Sequence, residues 1–182
     1  IGLLPYGYLG VDLFFVISGF LVSRPLIKNL EEGQPVSWFH FVLSRGFKIW
    51  PSYYVFLVLG DMVAFVLYRN SHPNQFVPVN ESLKYLLLYQ NYRGTLHWSF
   101  DHVWSLCVEE HFYLLLPLIF VAAQRAMRFR FGALTAQVGL MITAGIFFKY
   151  LSFVVGFETR SATHNRIDAL GWGVLLSVLT GK

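Results

Sequence analysis

Apolar residues in this chain come in long runs broken by short polar or basic stretches. Crossing a bilayer as helix takes about 20 apolar residues, and four runs reach or approach that length. The first extends from about Leu9 to Ile27 and contains GVDLFFVISGFLV. The second runs from about Trp50 to Tyr68 (WPSYYVFLVLGDMVAFVLY), the third from about Glu110 to Ala126, the fourth from about Phe131 to Phe153. A fifth, from Ile167 to Leu179, is apolar but cut short by the last residues. LKYLLLYQNY (83–92) is too short to span and ends in polar residues, which predicts an interfacial or re-entrant piece. No internal repeat is visible. The pattern predicts an all-α fold, a polytopic transmembrane helical bundle with about five membrane segments.

Composition supports the same class. Of 182 residues, 55% are hydrophobic, 18% aromatic and 13% charged, about half the charged share of soluble domains. The aromatic content fits interfacial belts of a multi-pass protein of the plasma or inner membrane. The net charge of +4 is carried by small groups beside apolar runs: Arg24 and Lys28, Arg45 and Lys48, then Arg125, Arg128 and Arg130. That is topology information, and no nucleic-acid partner is expected from it. Basic loops stay preferentially cytoplasmic, so 24–48 and 125–130 are expected inside, with 70–110 and 154–166 outside. Arg69, Lys84, Arg93, Arg160 and Arg166 reduce the contrast. Asn80-Glu81-Ser82 forms a glycosylation sequon on the expected outer side. The single cysteine, Cys107, leaves no internal disulfide. The chain opens on Ile1 without a signal-peptide pattern and stops at Lys182 after an apolar run. It reads as one partial membrane domain over 1–182, truncated at both ends.

Chemistry concentrates in HVWSLCVEEHFYLLLPL (102–118). As a helix, it puts His102, Ser105 and Glu109 on one face, with Tyr113 and Leu116 continuing it. Glu110 points about 100° away. An ionisable group at membrane depth is costly unless it faces a bundle interior or wet cavity. The bland alternative is a solvated helix start favoured by the helix dipole; it is the preferred reading for Glu110, and for Glu109 the two are evenly balanced. In the first run, Asp12, Val16, Gly19 and Ser23 share a face of small or polar residues suited to tight packing, and Asp12 is read first as a cap. Asp61, in the middle of the second run, needs a cationic or hydroxyl partner on a neighbouring helix and is read as structural. In SRGFKIWPSYY (44–54), Arg45 and Lys48 are i, i+3 neighbours on a turn ending at Pro51. They serve as membrane anchors or grip a phosphorylated ligand. His97, His102 and His111 with Asp101, Glu109 and Glu110 lack metal-ligand spacing, so no metal is expected. Cys107 has no base beside it for a nucleophile role.

Four blocks in order resemble the acyltransferase-3 family of integral-membrane O-acyltransferases: GVDLFFVISGFLVSRPL, FVLSRGFKIWPSYY, HVWSLCVEEHFYLLLPL and THNRIDALGWGVLLSVL. The third is the most specific, because WSLxVEExFYL at the head of a span has no simple compositional cause. The resemblance implies transfer of an acyl group, commonly acetyl, from an acyl-coenzyme A donor to a hydroxyl of a cell-surface carbohydrate or lipid. Acyl-coenzyme A would be a co-substrate, with no permanently bound cofactor. Arg45 and Lys48 match the family's paired-arginine donor turn, where Lys48 keeps charge but loses the bidentate fork. Glu109 matches the glutamate of the WSLxVEE string, with Trp104 and Ser105 beside it. Arg166 and Asp168 match its R-x-D-x-L block, and the resemblance implies that these two, with Trp104 and Ser105, join Arg45 and Lys48 in binding donor or substrate. The family's essential histidine lies on the helix before GVDLFF, and none of the six histidines here occupies its place. Glu109 would then support a base supplied from outside this stretch, and the stretch by itself is expected to be inactive. Two other readings remain at this level: a transporter with ionisable groups at the midplane, or an acyltransferase-like protein without activity.

Overall fold

The computed structural model describes residues 7–68, 79–92, 98–125, 130–156 and 161–181. His97, Arg69, Arg93, Arg128 and Arg160 lie outside the described residues. Among the described residues the chain is helical throughout and contains no strand. Six α-helices follow one another: α1 (Gly7–Glu31), α2 (Trp38–Tyr68), α3 (Val79–Leu86), α4 (Trp104–Arg125), α5 (Arg130–Val155) and α6 (Ile167–Thr180). Short 3₁₀ segments at Gln90–Tyr92, Trp98–Val103 and Thr163–Asn165 join them.

Among the described residues, three helices, within α1, α4 and α5, are long and apolar enough to cross a membrane. Helix α6 is apolar over 14 residues. Helix α2 is the longest at 31 residues, and its second half presents Val55, Val58, Leu59, Met62, Val63 and Val66 outward. Such a coat would be an aggregation hazard in water, but in a bilayer it faces lipid tails as apolar as itself.

Two boundaries differ from the sequence reading. The 44–54 stretch is not a turn: α2 starts at Trp38 and continues through Pro51. Proline removes one N–H from the ladder, yet membrane helices tolerate that loss where neighbours and local adjustment compensate. Helix α4 likewise begins at Trp104, so Glu109 and Glu110 lie more than one turn inside it rather than at its mouth. The end of α1 is conventional. The Gln34 amide donates to the Asn29 carbonyl at 2.8 Å, and Gly33 takes φ 67°, a left-handed stop that glycine adopts without a Cβ penalty.

The core divides in two. The larger cluster joins Phe15, Val22, Leu26 and Leu30 of α1 to Phe112, Leu116 and Phe120 of α4, Leu134 and Val138 of α5, and Leu170 and Val174 of α6. The smaller joins Tyr53 and Leu57 of α2 to Tyr85, Leu88, Phe100, Val103 and Cys107. Helices α1 and α6 approach closest. A Cβ on Gly19 would overlap the Leu170 carbonyl, and one on Gly173 would overlap the Val16 carbonyl. Small residues let membrane helices gain contact where no hydrophobic driving force separates them from lipid. Gly19 and Val16 belong to the strip read from the first run, and Ser23 on that strip is fully buried.

A buried acidic pair at the head of the fourth helix

The residues before α4 wind as a 3₁₀ segment, Trp98–Val103, and the α-helix starts at Trp104. That change of pitch takes His102 off the face that carries Ser105 and Glu109, which stay i, i+4 neighbours on α4. His102 is exposed and packs edge-on against Phe56, centroids 5.5 Å apart. The half-buried Ser105 donates back to the His102 carbonyl at 3.4 Å. Glu109, by contrast, is 4% exposed and Glu110 6%. The reading of Glu110 as a solvated helix-start residue is therefore corrected. The 3₁₀ segments and α2 cover the first turns of α4, so both carboxyl groups sit inside the bundle.

Their surroundings differ. The Glu109 carboxyl lies against the Ser18 hydroxyl of α1 and the Tyr113 phenol one turn on, with the Arg45 guanidinium of α2 in electrostatic range. Ser18 Oγ and Tyr113 OH are themselves 3.2 Å apart. Two hydroxyls and a more distant cation thus converge on one carboxylate from three helices. Glu110 turns toward Trp50 of α2 and is close enough to Glu109 for mutual repulsion. Its Oε1 and the Trp50 Nε1 are both buried without a hydrogen-bond partner.

Arg45 and Lys48 remain i, i+3 neighbours on α2 but differ in exposure. Arg45 is half-buried, its guanidinium 5.7 Å from the Phe41 ring centroid and turned toward the acidic pair. Lys48 is exposed. Asp61, half-buried, lies about 24 Å further along α2 at 1.5 Å per residue and does not join them. Its neighbour Gly60 packs on the Phe100 ring, which a Cβ there would strike.

A second polar layer lies one to two turns away. Arg166 Nη1 donates to Asp12 Oδ1 at 2.7 Å, and its guanidinium lies 5.6 Å from the Trp104 ring centroid. Trp104 meets Phe15 edge-on at 5.9 Å. So Asp12 is not merely a cap: it binds a cation 154 positions later in the chain. Asp168 accepts from Lys149 Nζ at 2.6 Å, while its Oδ1 is buried with no hydrogen-bond partner. His111 Nδ1 is 2.7 Å from Thr163 Oγ1, which also accepts from Asn91 Nδ2 at 3.0 Å. This network holds the segment that carries Arg166. Sequence reasoning missed Ser18, Trp50, Asn91 and Thr163. A lone serine in an apolar helix was the only local signal for any of them. Among the described residues no three His, Cys, Asp or Glu side chains converge as metal ligands.

Residues 5–179 match the model of an acyltransferase domain. The chain belongs to the acyltransferase-3 family. Acyltransferase-3 relatives extend the match over most of the sequence. A Haemophilus influenzae protein named only as uncharacterized is 29% identical over 165 residues, covering 85% of this chain and 64% of its own length. The O-acetyltransferase OatA of Staphylococcus aureus is 25% identical over 186 aligned positions, covering 95% of this chain and 30% of the relative. The chain thus spans less than two thirds of each of these relatives. No solved structure matches it. Within this acyltransferase-3 chain, the blocks GVDLFF, SRGFK, WSLCVEE and NRIDAL, dispersed in sequence, are drawn together at one end of α1, α2, α4 and α6.

Proposed function

We propose that the full-length protein is a membrane-bound O-acyltransferase that moves an acyl group, with acetyl as the expected one, from acyl-coenzyme A to a hydroxyl of a cell-surface carbohydrate or lipid. The reading is supported by family membership and, above all, by Glu109. This carboxylate is held inside the bundle by two hydroxyls, with Arg45 as the nearby cation. In the transfer, a base takes the proton of the acceptor hydroxyl as its oxygen attacks the thioester carbonyl. The C–S bond then breaks, and the coenzyme A sulfur leaves and takes up a proton. The base is assigned, by the family resemblance, to a histidine preceding GVDLFF. Glu109 orients that base or balances its charge as the proton moves. Arg45 meets donor phosphate, a charge-assisted contact suited to guanidinium. Donor and acceptor reach Glu109 from opposite sides, with the 24–48 region cytoplasmic and 70–110 external in this reading.

The test is steady-state transfer from labelled acetyl-coenzyme A to a hydroxyl acceptor by the purified full-length protein. Turnover that disappears in Glu109→Gln at unchanged folded yield supports the reading. A folded protein that neither binds nor consumes acetyl-coenzyme A overturns it. Sidedness is checked by labelling single cysteines: position 80 should react from outside, and position 128 only after permeabilisation. The reverse pattern would overturn the assignment of the two sides.

A further inference from the structure

At the far end of α1 from the acidic pair, a cleft of about 570 Å³ opens between the last turns of α1 and α6. It is lined by Arg24, Lys28, Glu31, Glu32 and Ser177, with apolar Ile27 beside them. Three observations together point to a ligand. Ser177 is 1% exposed, and its Oγ is buried without a hydrogen-bond partner although it lines an open cleft. The charges are balanced, two cations and two carboxylates. They are also ordered: Arg24 and Lys28 come first along α1, and the carboxylates follow about 5–10 Å further out at 1.5 Å per residue. Lys28 and Glu32 are only loosely paired at 3.7 Å, with side chains 72% and 51% exposed, so both are free to meet a ligand. Arg24 is held by its contact with the Phe20 ring, 4.9 Å to the centroid.

We infer that this cleft binds the zwitterionic headgroup of a phosphoethanolamine lipid. In such a lipid the phosphate sits next to the hydrocarbon and the ammonium further out, the same order as the cations and carboxylates on α1. Arg24, Lys28 and the Ser177 hydroxyl donate to phosphate oxygens. Glu31 and Glu32 accept from the primary ammonium, assisted by the partial negative charge at the C-termini of α1 and α6. The apolar wall beside Ile27 takes the start of an acyl chain. Neutral overall charge argues against a purely anionic headgroup, which would meet the two carboxylates. A trimethylated ammonium would offer the carboxylates no N–H. The site is separate from the acyl-transfer reading and does not depend on it.

Native mass spectrometry of the full-length protein in detergent, titrated with phosphatidylethanolamine, phosphatidylcholine and phosphatidylglycerol, tests this directly. Wild type should retain phosphatidylethanolamine roughly tenfold better than either of the others. Ser177→Ala and Arg24→Ala should weaken retention by about tenfold, the scale of a hydrogen bond to a charged group. Glu31→Gln combined with Glu32→Gln should abolish the preference for phosphatidylethanolamine over phosphatidylcholine. Equal retention of the three lipids by wild type would overturn the inference without any variant. So would tighter binding of phosphatidylglycerol, or a preference that survives the double glutamine variant.

Discussion

Four carboxylates from the family blocks sit in the same bundle under two different regimes. Asp12 and Asp168 each have a cation in contact, Arg166 at 2.7 Å and Lys149 at 2.6 Å. Glu109 and Glu110 lie deeper among helices and, among the described residues, have no cation within ion-pair distance. Glu109 has hydroxyls, and Glu110 keeps a buried oxygen with no partner, as Asp168 does at Oδ1 despite its lysine. A structural charge in a membrane protein is neutralised where it stands, because leaving it alone costs several kcal/mol. The acidic pair keeps part of that cost, which under the proposed function would be met by a partner that arrives with a substrate or a moving proton. Paired carboxylates should therefore report on stability, and under-paired ones on activity.

That division can be broken most sharply at Glu109. In the full-length protein, Glu109→Gln keeps shape and removes charge, and turnover per folded molecule should fall on the order of 10²-fold or more. A loss that merely follows folded yield would move Glu109 to the structural class. Next in size is Asp12→Asn, which removes the carboxylate charge in contact with the buried Arg166. It should lower unfolding free energy by about 2 kcal/mol, below the 3–5 kcal/mol of fully buried pairs because the Asp12 side chain is 36% exposed. Thermal unfolding in detergent measures this, and turnover per folded molecule should stay within a few-fold. Arg45→Ala is expected to weaken acyl-coenzyme A binding about tenfold, read by donor titration; unchanged affinity would return Arg45 to membrane anchoring. Smallest is Lys48. Because Lys48 is exposed, Lys48→Ala should change donor affinity less than twofold, and a change as large as that of Arg45 would make the two residues equal donor contacts.

What the sequence made legible was periodic and local. The span pattern predicts the helices, and the Asp12, Val16, Gly19, Ser23 spacing marks the face that meets α6. The WSLxVEE string singles out Glu109. What it left hidden depends on distant residues or on a change of helix type. Glu110 looks solvated until the 3₁₀ segment and α2 are seen to close over it. Asp12 looks like a cap because its cation comes 154 positions later. His102 shares a face with Glu109 only on an unbroken α-helix, and the 3₁₀ turn ending at Val103 breaks it. Pro51 reads as a boundary because proline usually ends helices, whereas α2 continues through it.

The contact of Gly19 with Leu170 and of Gly173 with Val16 has a consequence for motion and for engineering. Backbones that touch cannot slide or part without losing the contact, so α1 and α6 are tied to each other. Helix α2 is different, since its second half rests on a core cluster of its own. Under the proposed function, room for a bulky acceptor at Glu109 would come from the α2 side. Efforts to widen acceptor range belong on α2, while positions 19 and 173 tolerate nothing larger than hydrogen.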